Sequence, residues 1–435
     1  MERFALSRMK EWKENENRKP LIIRGARQVG KTWIMKTFGQ QYFEKTAYVN
    51  FDNNARMKQV FEGDLDIERL VLAISAETGV SIEAENTLII FDEIQEVPKA
   101  LTSLKYFHEN APQYAIVAAG SLLGVALHQG TSFPVGKVDF LDLYPLNFRE
   151  FLCAMGEKQF VSMLDSCDTQ MVTVFKTKYI ERLREYYFVG GMPEVVKDFL
   201  EKKDYNRVRA IQKNLINYYQ QDFSKHAEIK LVPRLNLVWN SIPMQLAKEN
   251  KKYIYGQVRE GSRAKDFELA IQWLLDCGLI HKVQRIQKPD LPLKAYIDFD
   301  AFKLFLVDIG LLIAMTDLDA KVIIEGNKIF TEFKGSLTEQ YILQQLISDV
   351  GVIPYYYSTQ NSKGEIDFLV QGKTSVIPIE VKAEENLKAK SLKAFCEKYQ
   401  PSYAVRTSMS DYREQDWMTN IPLYAIKWIE NYVNQ

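Results

Sequence analysis

Residues 25–32 read GARQVGKT, a match to GxxxxGK[ST], and no other stretch constrains the fold as strongly. The apolar run LIIR precedes it and the helix-forming TWIMKTFG follows, so a buried strand must deliver the loop to a helix N-terminus. There the glycines let backbone N–H groups wrap an anion, and the helix dipole favours negative charge. Gly25, Ala26, Arg27, Gln28, Val29, Gly30, Lys31 and Thr32 are the expected nucleotide-binding residues. Lys31 would reach the β- and γ-phosphates of ATP, and the Thr32 hydroxyl would hold Mg2+. The alternative, a chance Gly-rich turn, has no reason to carry both flanks.

Three further apolar runs, AYVNF, TLIIFDE and YAIVAAGS, alternate with helical stretches up to about residue 150. Continuous apolar strands separated by helices imply an α/β fold with a parallel sheet covered on both faces. TLIIFDE, residues 87–93, supplies the acidic partner of the loop. Asp92 would bind the magnesium, directly or through water, and Glu93 would orient and deprotonate the attacking water. The plain reading is a buried strand that ends in solvent-facing acids. Ser121 is a candidate γ-phosphate sensor, and an ordinary loop serine fits as well. Arg149, in YPLNFREF, is a candidate arginine finger for a neighbouring copy, and a solvated helix arginine is the plain reading. The four histidines lack a patterned partner and read as structural.

At 435 residues the chain exceeds one ordinary domain. Fifty-six basic and fifty-six acidic residues balance, so overall charge selects no partner. The charge is uneven, however: residues 205–290 hold fifteen Lys+Arg against eight Asp+Glu. That excess suits either a nucleic-acid face or a solvated helical surface. Arg259, Arg263 and Lys265 gather near the start of a helix expected over 264–277, where a recognition helix commonly meets duplex DNA. Cys153, Cys167, Cys277 and Cys396 are scattered without CxxC spacing and read as reduced thiols. The charged N-terminus lacks an apolar signal core and no run approaches the ~20 apolar residues of a membrane helix. The expected location is cytoplasmic. ATP, double-stranded DNA and further copies of the chain in a homo-oligomer are the expected partners, with no membrane.

After residue 150 the pattern changes. Residues 151–230 read as helical, and 231–325 as helix, helix and a two-stranded wing (LIHKVQRI and LKAYIDFD), the order of a winged-helix domain. Residues 326–435 give a helix, the strand runs IPYYYST, EIDFLVQ and SVIPIEV, a further helix and a last strand. Charges recur within those runs. Glu339 lies on the helix, Asp367 on one strand and Glu380-x-Lys382 at the end of the next, the order of a PD-(D/E)xK nuclease. Glu380 and Lys382 stand two apart and project to one face. Glu339, Asp367 and Glu380 would hold a second Mg2+, with Lys382 orienting a water or stabilising developing charge. The alternative is an inactive scaffold whose charges pair as buried salt bridges. Eight Lys+Arg against nine Asp+Glu over 332–398 do not make the basic surface of a phosphate-tracking nuclease.

GARQVGKT, LIIFDEIQ, LYPLNFREF and YYFVGGMPEVV together resemble a group of bacterial and archaeal AAA-type P-loop ATPases, and the similarity covers essentially the whole chain. The first two are the Walker A and Walker B motifs shared by many P-loop enzymes, whereas the last two are more particular to the group. The resemblance implies an AAA-type ATPase domain at 1–150, a helical and winged-helix middle, and a C-terminal α/β restriction-endonuclease-like domain of unknown function. It implies no substrate beyond ATP.

Overall fold

The computed structural model describes residues 1–120, 124, 133–248, 251–324, 331–359, 364–385 and 389–435. Ser121 lies outside the described residues. The chain divides into two compact units, one of Glu2–Tyr144 with Asp276–Gly278 and one of Pro145–Leu275 with Leu279–Gln435. Apart from Asp276–Gly278, the described residues of the ranges 151–230, 231–325 and 326–435 therefore fall in one unit. Among the described residues no helix is long and apolar enough to cross a membrane.

The smaller unit opens with α1 (Ala5–Glu14), whose Ala5, Met9 and Trp12 share the buried face that helical periodicity predicts. Its sheet has the order β2-β3-β4-β1-β5, with β1 (Leu21–Arg24), β2 (Lys45–Asn50), β3 (Thr87–Asp92), β4 (Ala115–Ala119) and β5 (Asp139–Asp142), all parallel. All six residues of β3 are buried, as expected for an inner strand covered on both faces. Ile22, Ile89, Phe91 and Ile116 meet α3 (Ala55–Glu62) and α4 (Ile67–Thr78) through Phe61, Leu70 and Ile74. Each such side chain contributes about 1.5–3 kcal/mol by leaving water. β4 lies between β1 and β3, and Ile23 and Asp92 both pair with Ala119. That shared register brings the end of β1 and the end of β3 to one edge of the sheet.

In the larger unit, helices run from Phe148 to Leu246, and an eight-stranded mixed sheet follows. The helix expected over 264–277 spans Ala264–Asp276. The two strands expected as a wing are β6 (Ile280–Ile286) and β7 (Ile297–Leu306), an antiparallel pair. They do not end there. Arg285 and Ile286 of β6 pair in parallel with Tyr356 and Tyr357 of β8 (Tyr355–Ser358), which makes the wing part of the C-terminal sheet. Ile286 and Leu293 share a buried cluster with Tyr355, Tyr357, Ile366 and Phe395, which explains the fusion. β9 (Glu365–Gln371) and β10 (Val376–Val381) continue the sheet as an antiparallel pair, and β11 (Val405–Ser408), β13 (Met418–Pro422) and β12 (Arg413–Gln415) complete it. LKAYIDFD, read as one strand, begins with a 3-10 turn at Leu293–Tyr296, where the Leu293 N–H donates to the Gln371 side chain instead of a strand ladder.

Residues 145–151 (PLNFREF) and 190–196 (GGMPEVV) form a joint within this unit. Asn147 and Glu150 make a capping box on the helix Phe148–Ala154. A Cβ on Gly191 would lie 2.1 Å from the Leu146 carbonyl oxygen, so only glycine fits there. Buried Asp308 accepts from Gly191 N–H at 2.7 Å and Leu311 N–H at 3.1 Å, pinning the turn and capping the helix Ile309–Met315. Burial pushes its carboxyl up from 3.8 to about 6 against the pull of those donors. Because the folded value is the higher one, this stabilisation is complete below about pH 4 and is lost as pH rises through about 6. Urea unfolding at pH 4.5 and pH 7.5 should show wild-type stability, relative to Asp308→Asn, falling by roughly 2 kcal/mol with rising pH. A pH-independent difference contradicts the assignment.

Candidate active site

The loop between β1 and α2 (Lys31–Tyr42) has the backbone the motif predicts. Gly25 and Gly30 have φ of +147° and +95°, and a Cβ on Gly25 would lie 2.1 Å from the Leu143 carbonyl oxygen. Gln28 also takes a positive φ, 66°, which is costly for a residue with a side chain. Arg3, nearly fully buried, braces the loop by donating to the Val29 carbonyl at 3.0 Å and the Tyr144 carbonyl. Nothing in the local motif signals that brace.

Lys31 Nζ donates to the carbonyls of Gly25 and Ala26 at 2.9 and 2.8 Å. Burial lowers its pKa to about 8, opposed by the charges of Glu93 and Asp92. Thr32 Oγ1 donates to Asp92 Oδ2 at 2.7 Å, and the Tyr48 hydroxyl donates to the same oxygen at 2.9 Å. Burial first, then the Asp92 charge, raises the Tyr48 pKa and keeps that phenol a donor. A hydroxyl and a carboxylate oxygen side by side are hard ligands of the kind Mg2+ takes, so these residues fit the ion.

Glu93 follows β3 in the left-handed region, φ 51°, another strained position at the site. Its N–H donates to Asp92 Oδ1 at 3.1 Å, and Gln95 Nε2 donates to Glu93 Oε2 at 2.7 Å. Gln95 thus orients the carboxylate. It sits in the quoted LIIFDEIQ stretch, but its role is invisible without the turn. Tyr48, in the strand run AYVNF, is likewise a site residue that sequence reasoning missed.

Arg149 lies in the larger unit, where its guanidinium is engaged by Asp349 on two nitrogens, at 3.0 and 2.6 Å, and by Asp165. Burial opposes its charge, and the two carboxylates more than offset that.

The C-terminal carboxylates do not converge on one point. Glu339, 5% exposed, pairs with Lys251, and its Oε2 is 3.7 Å from the Nζ of Lys303. Lys303, fully buried on β7, also bonds Glu365. Asp367 is an electrostatic neighbour of Glu339, and its Oδ2 accepts from Val381 N–H at 2.7 Å. Burial first, then the Glu339 charge, pushes the Asp367 carboxyl up to about 7, offset in part by Lys303 and Lys251. Glu380 accepts from Leu392 N–H at 3.0 Å, in the first turn of the helix Lys390–Tyr399, and pairs with Lys382 Nζ at 2.6 Å. Among the described residues no three His, Cys, Asp or Glu side chains are grouped to hold a metal. These residues do not fit a divalent cation: ammonium groups and a helix end take the oxygens it would need.

Residues 17–152 match a family described as an AAA domain. Residues 180–322 and 334–426 match two families described as domains of unknown function, DUF8612 and DUF4143. No curated protein matches the chain. Among solved structures, the Walker-type ATPase paby2304 of Pyrococcus abyssi is similar at 15% identity and a TM-score of 0.44, over 72% of this chain and 95% of that one. Cdc6p from Pyrobaculum aerophilum is similar at 10% identity and a TM-score of 0.25, over 74% of this chain and 93% of that one. The chain carries an ATP-binding P-loop ATPase domain of the AAA type.

Proposed function

We propose that the chain is a Mg2+-dependent ATPase whose nucleotide state controls what its larger unit binds. The observation that carries this is the pair Thr32 Oγ1 and Asp92 Oδ2, 2.7 Å apart beside a buried Lys31. Thr32 and Asp92 would hold Mg2+, which when bound neutralises phosphate charge. Lys31 leaves the Gly25 and Ala26 carbonyls for the β- and γ-phosphates, and Glu93, steadied by Gln95, takes the proton of the attacking water. Calorimetric titration with ATP tests the site. Lys31→Ala should bind about 10- to 100-fold more weakly, the loss expected for a charged hydrogen-bond partner. Equal affinity would sink the role of Lys31.

For the C-terminal module two readings compete, a metal-dependent nuclease and a scaffold that binds without cutting. The pairing of Glu339 with Lys251 and Lys303, and of Glu380 with Lys382, supports the scaffold. Plasmid and single-stranded DNA incubated with Mg2+ or Mn2+, with and without ATP, should stay intact. Cleavage that Asp367→Ala abolishes would instead establish the nuclease.

Duplex DNA is the proposed ligand of the larger unit. Arg259, Arg263 and Lys265 flank the start of the helix Ala264–Asp276, where the Arg263 N–H donates to Asp266 Oδ2. Affinity should fall steeply with salt, and reversing all three charges should remove about three units from the slope of log K against log salt. An unchanged slope contradicts this face.

A further inference from the structure

We infer that the Tyr48 hydroxyl is a positioning group of the ATPase site, holding the Asp92 carboxylate in the orientation that Mg2+ requires. The inference rests on the reading of Thr32 and Asp92 as the Mg2+ site, and adds the residue that sets one of them.

β2 turns Ala47 and Val49 into the core, so the alternation of a strand turns Tyr48 to the opposite face. In the parallel register Asn50 pairs with Asp92, which places Tyr48 two residues short of that carboxylate. Two residues of strand span roughly 6.6 Å, a gap that a phenol crosses and a serine or threonine hydroxyl does not. The Lys36 ammonium of α2 lies 3.8 Å from the centre of the ring and steadies it. The hydroxyl donates to Asp92 Oδ2 at 2.9 Å. Thr32 Oγ1 donates to the same oxygen at 2.7 Å, and Glu93 N–H donates to Oδ1 at 3.1 Å. A carboxylate has about four acceptor positions, and donors from β2, from α2 and from the turn after β3 fill three of them. Asp92 cannot rotate without giving up a donor, so its carboxylate is fixed before an ion arrives. Thr32 and Glu93 have other duties, toward the metal and the attacking water. Tyr48 is the donor that can stay on Asp92 throughout. A partner that orients a ligating carboxylate is worth about 10- to 100-fold in metal affinity.

ATP affinity of the full-length protein, measured by calorimetry with Mg2+ and again with EDTA, gives the share of binding that the metal supplies. Tyr48→Phe keeps the ring and its contact with Lys36 and removes only the hydroxyl. It should weaken binding of ATP with Mg2+ about 10- to 100-fold and leave affinity in EDTA at the wild-type value. On an Asp92→Asn background the same change should cost less than about 2-fold, because the carboxylate it serves is gone. Wild-type affinity with Mg2+, or an equal loss in EDTA, would overturn the inference. So would a full loss on the Asp92→Asn background or a Tyr48→Phe chain that does not fold, either of which makes the hydroxyl a structural tie. If Asp92→Asn itself leaves the Mg2+ effect intact, the metal site falls and the role of Tyr48 with it. Failure of Tyr48→Phe alone leaves the metal site standing.

Discussion

Glu93→Gln should bind ATP with Mg2+ as the wild type does and release phosphate about 10²- to 10⁴-fold more slowly, the range for loss of a general base. The substitution keeps the size of the side chain and removes only its basicity. Glu93 owes its position to a strained turn, φ 51°, and to the Gln95 amide at 2.7 Å, and both survive the change. Binding depends on the loop, Lys31 and Thr32, which Glu93→Gln does not touch. Measured affinity and single-turnover phosphate release separate the two effects. Loss of binding, or turnover at the wild-type rate, contradicts the role given to Glu93.

Arg149→Ala should destabilise the larger unit by about 3–5 kcal/mol, the cost of leaving a buried charge without its partner. Asp349 is 3% exposed at its side chain, and its carboxylate receives the Arg149 guanidinium twice and the Asn147 amide at 3.3 Å. Removing Arg149 leaves that anion without its guanidinium partner. Chemical unfolding measures the loss. Arg149→Ala/Asp349→Ala should recover much of it, since neither charge is then left alone. A change below about 1 kcal/mol would mark Arg149 as an exposed pair of the ordinary kind.

The ATPase site was legible because its signals are local. Gly25 to Thr32 are contiguous, TLIIFDE is a single buried strand, and both flanks of the loop follow from short apolar runs. The braces were not legible. Arg3 reaches Val29, Tyr48 reaches Asp92, and in each case the partners are distant in sequence. Long-range strand pairing hid the fusion of the wing to β8, because Arg285–Tyr356 and Ile286–Tyr357 carry no pattern of their own. The C-terminal cluster shows the converse limit. The order of Glu339, Asp367, Glu380 and Lys382 suggested one metal site, but motif order does not report which counter-charges arrive from elsewhere. Lys251 and Lys303 precede the motif by dozens of residues. One sequence signal was present: Lys303 interrupts the apolar run AFKLFLV, where a charge must be buried and therefore paired.

Phosphate release from ATP by the purified chain, with and without Mg2+ and beside Thr32→Ala, decides whether Thr32 and Asp92 form a working Mg2+ site. The hydroxyl of Thr32 and the carboxylate of Asp92 make the proposed Mg2+ site of the ATPase, so release should require Mg2+ and should collapse in Thr32→Ala. Release that is unaffected by chelation, or equal in Thr32→Ala and wild type, would contradict the account.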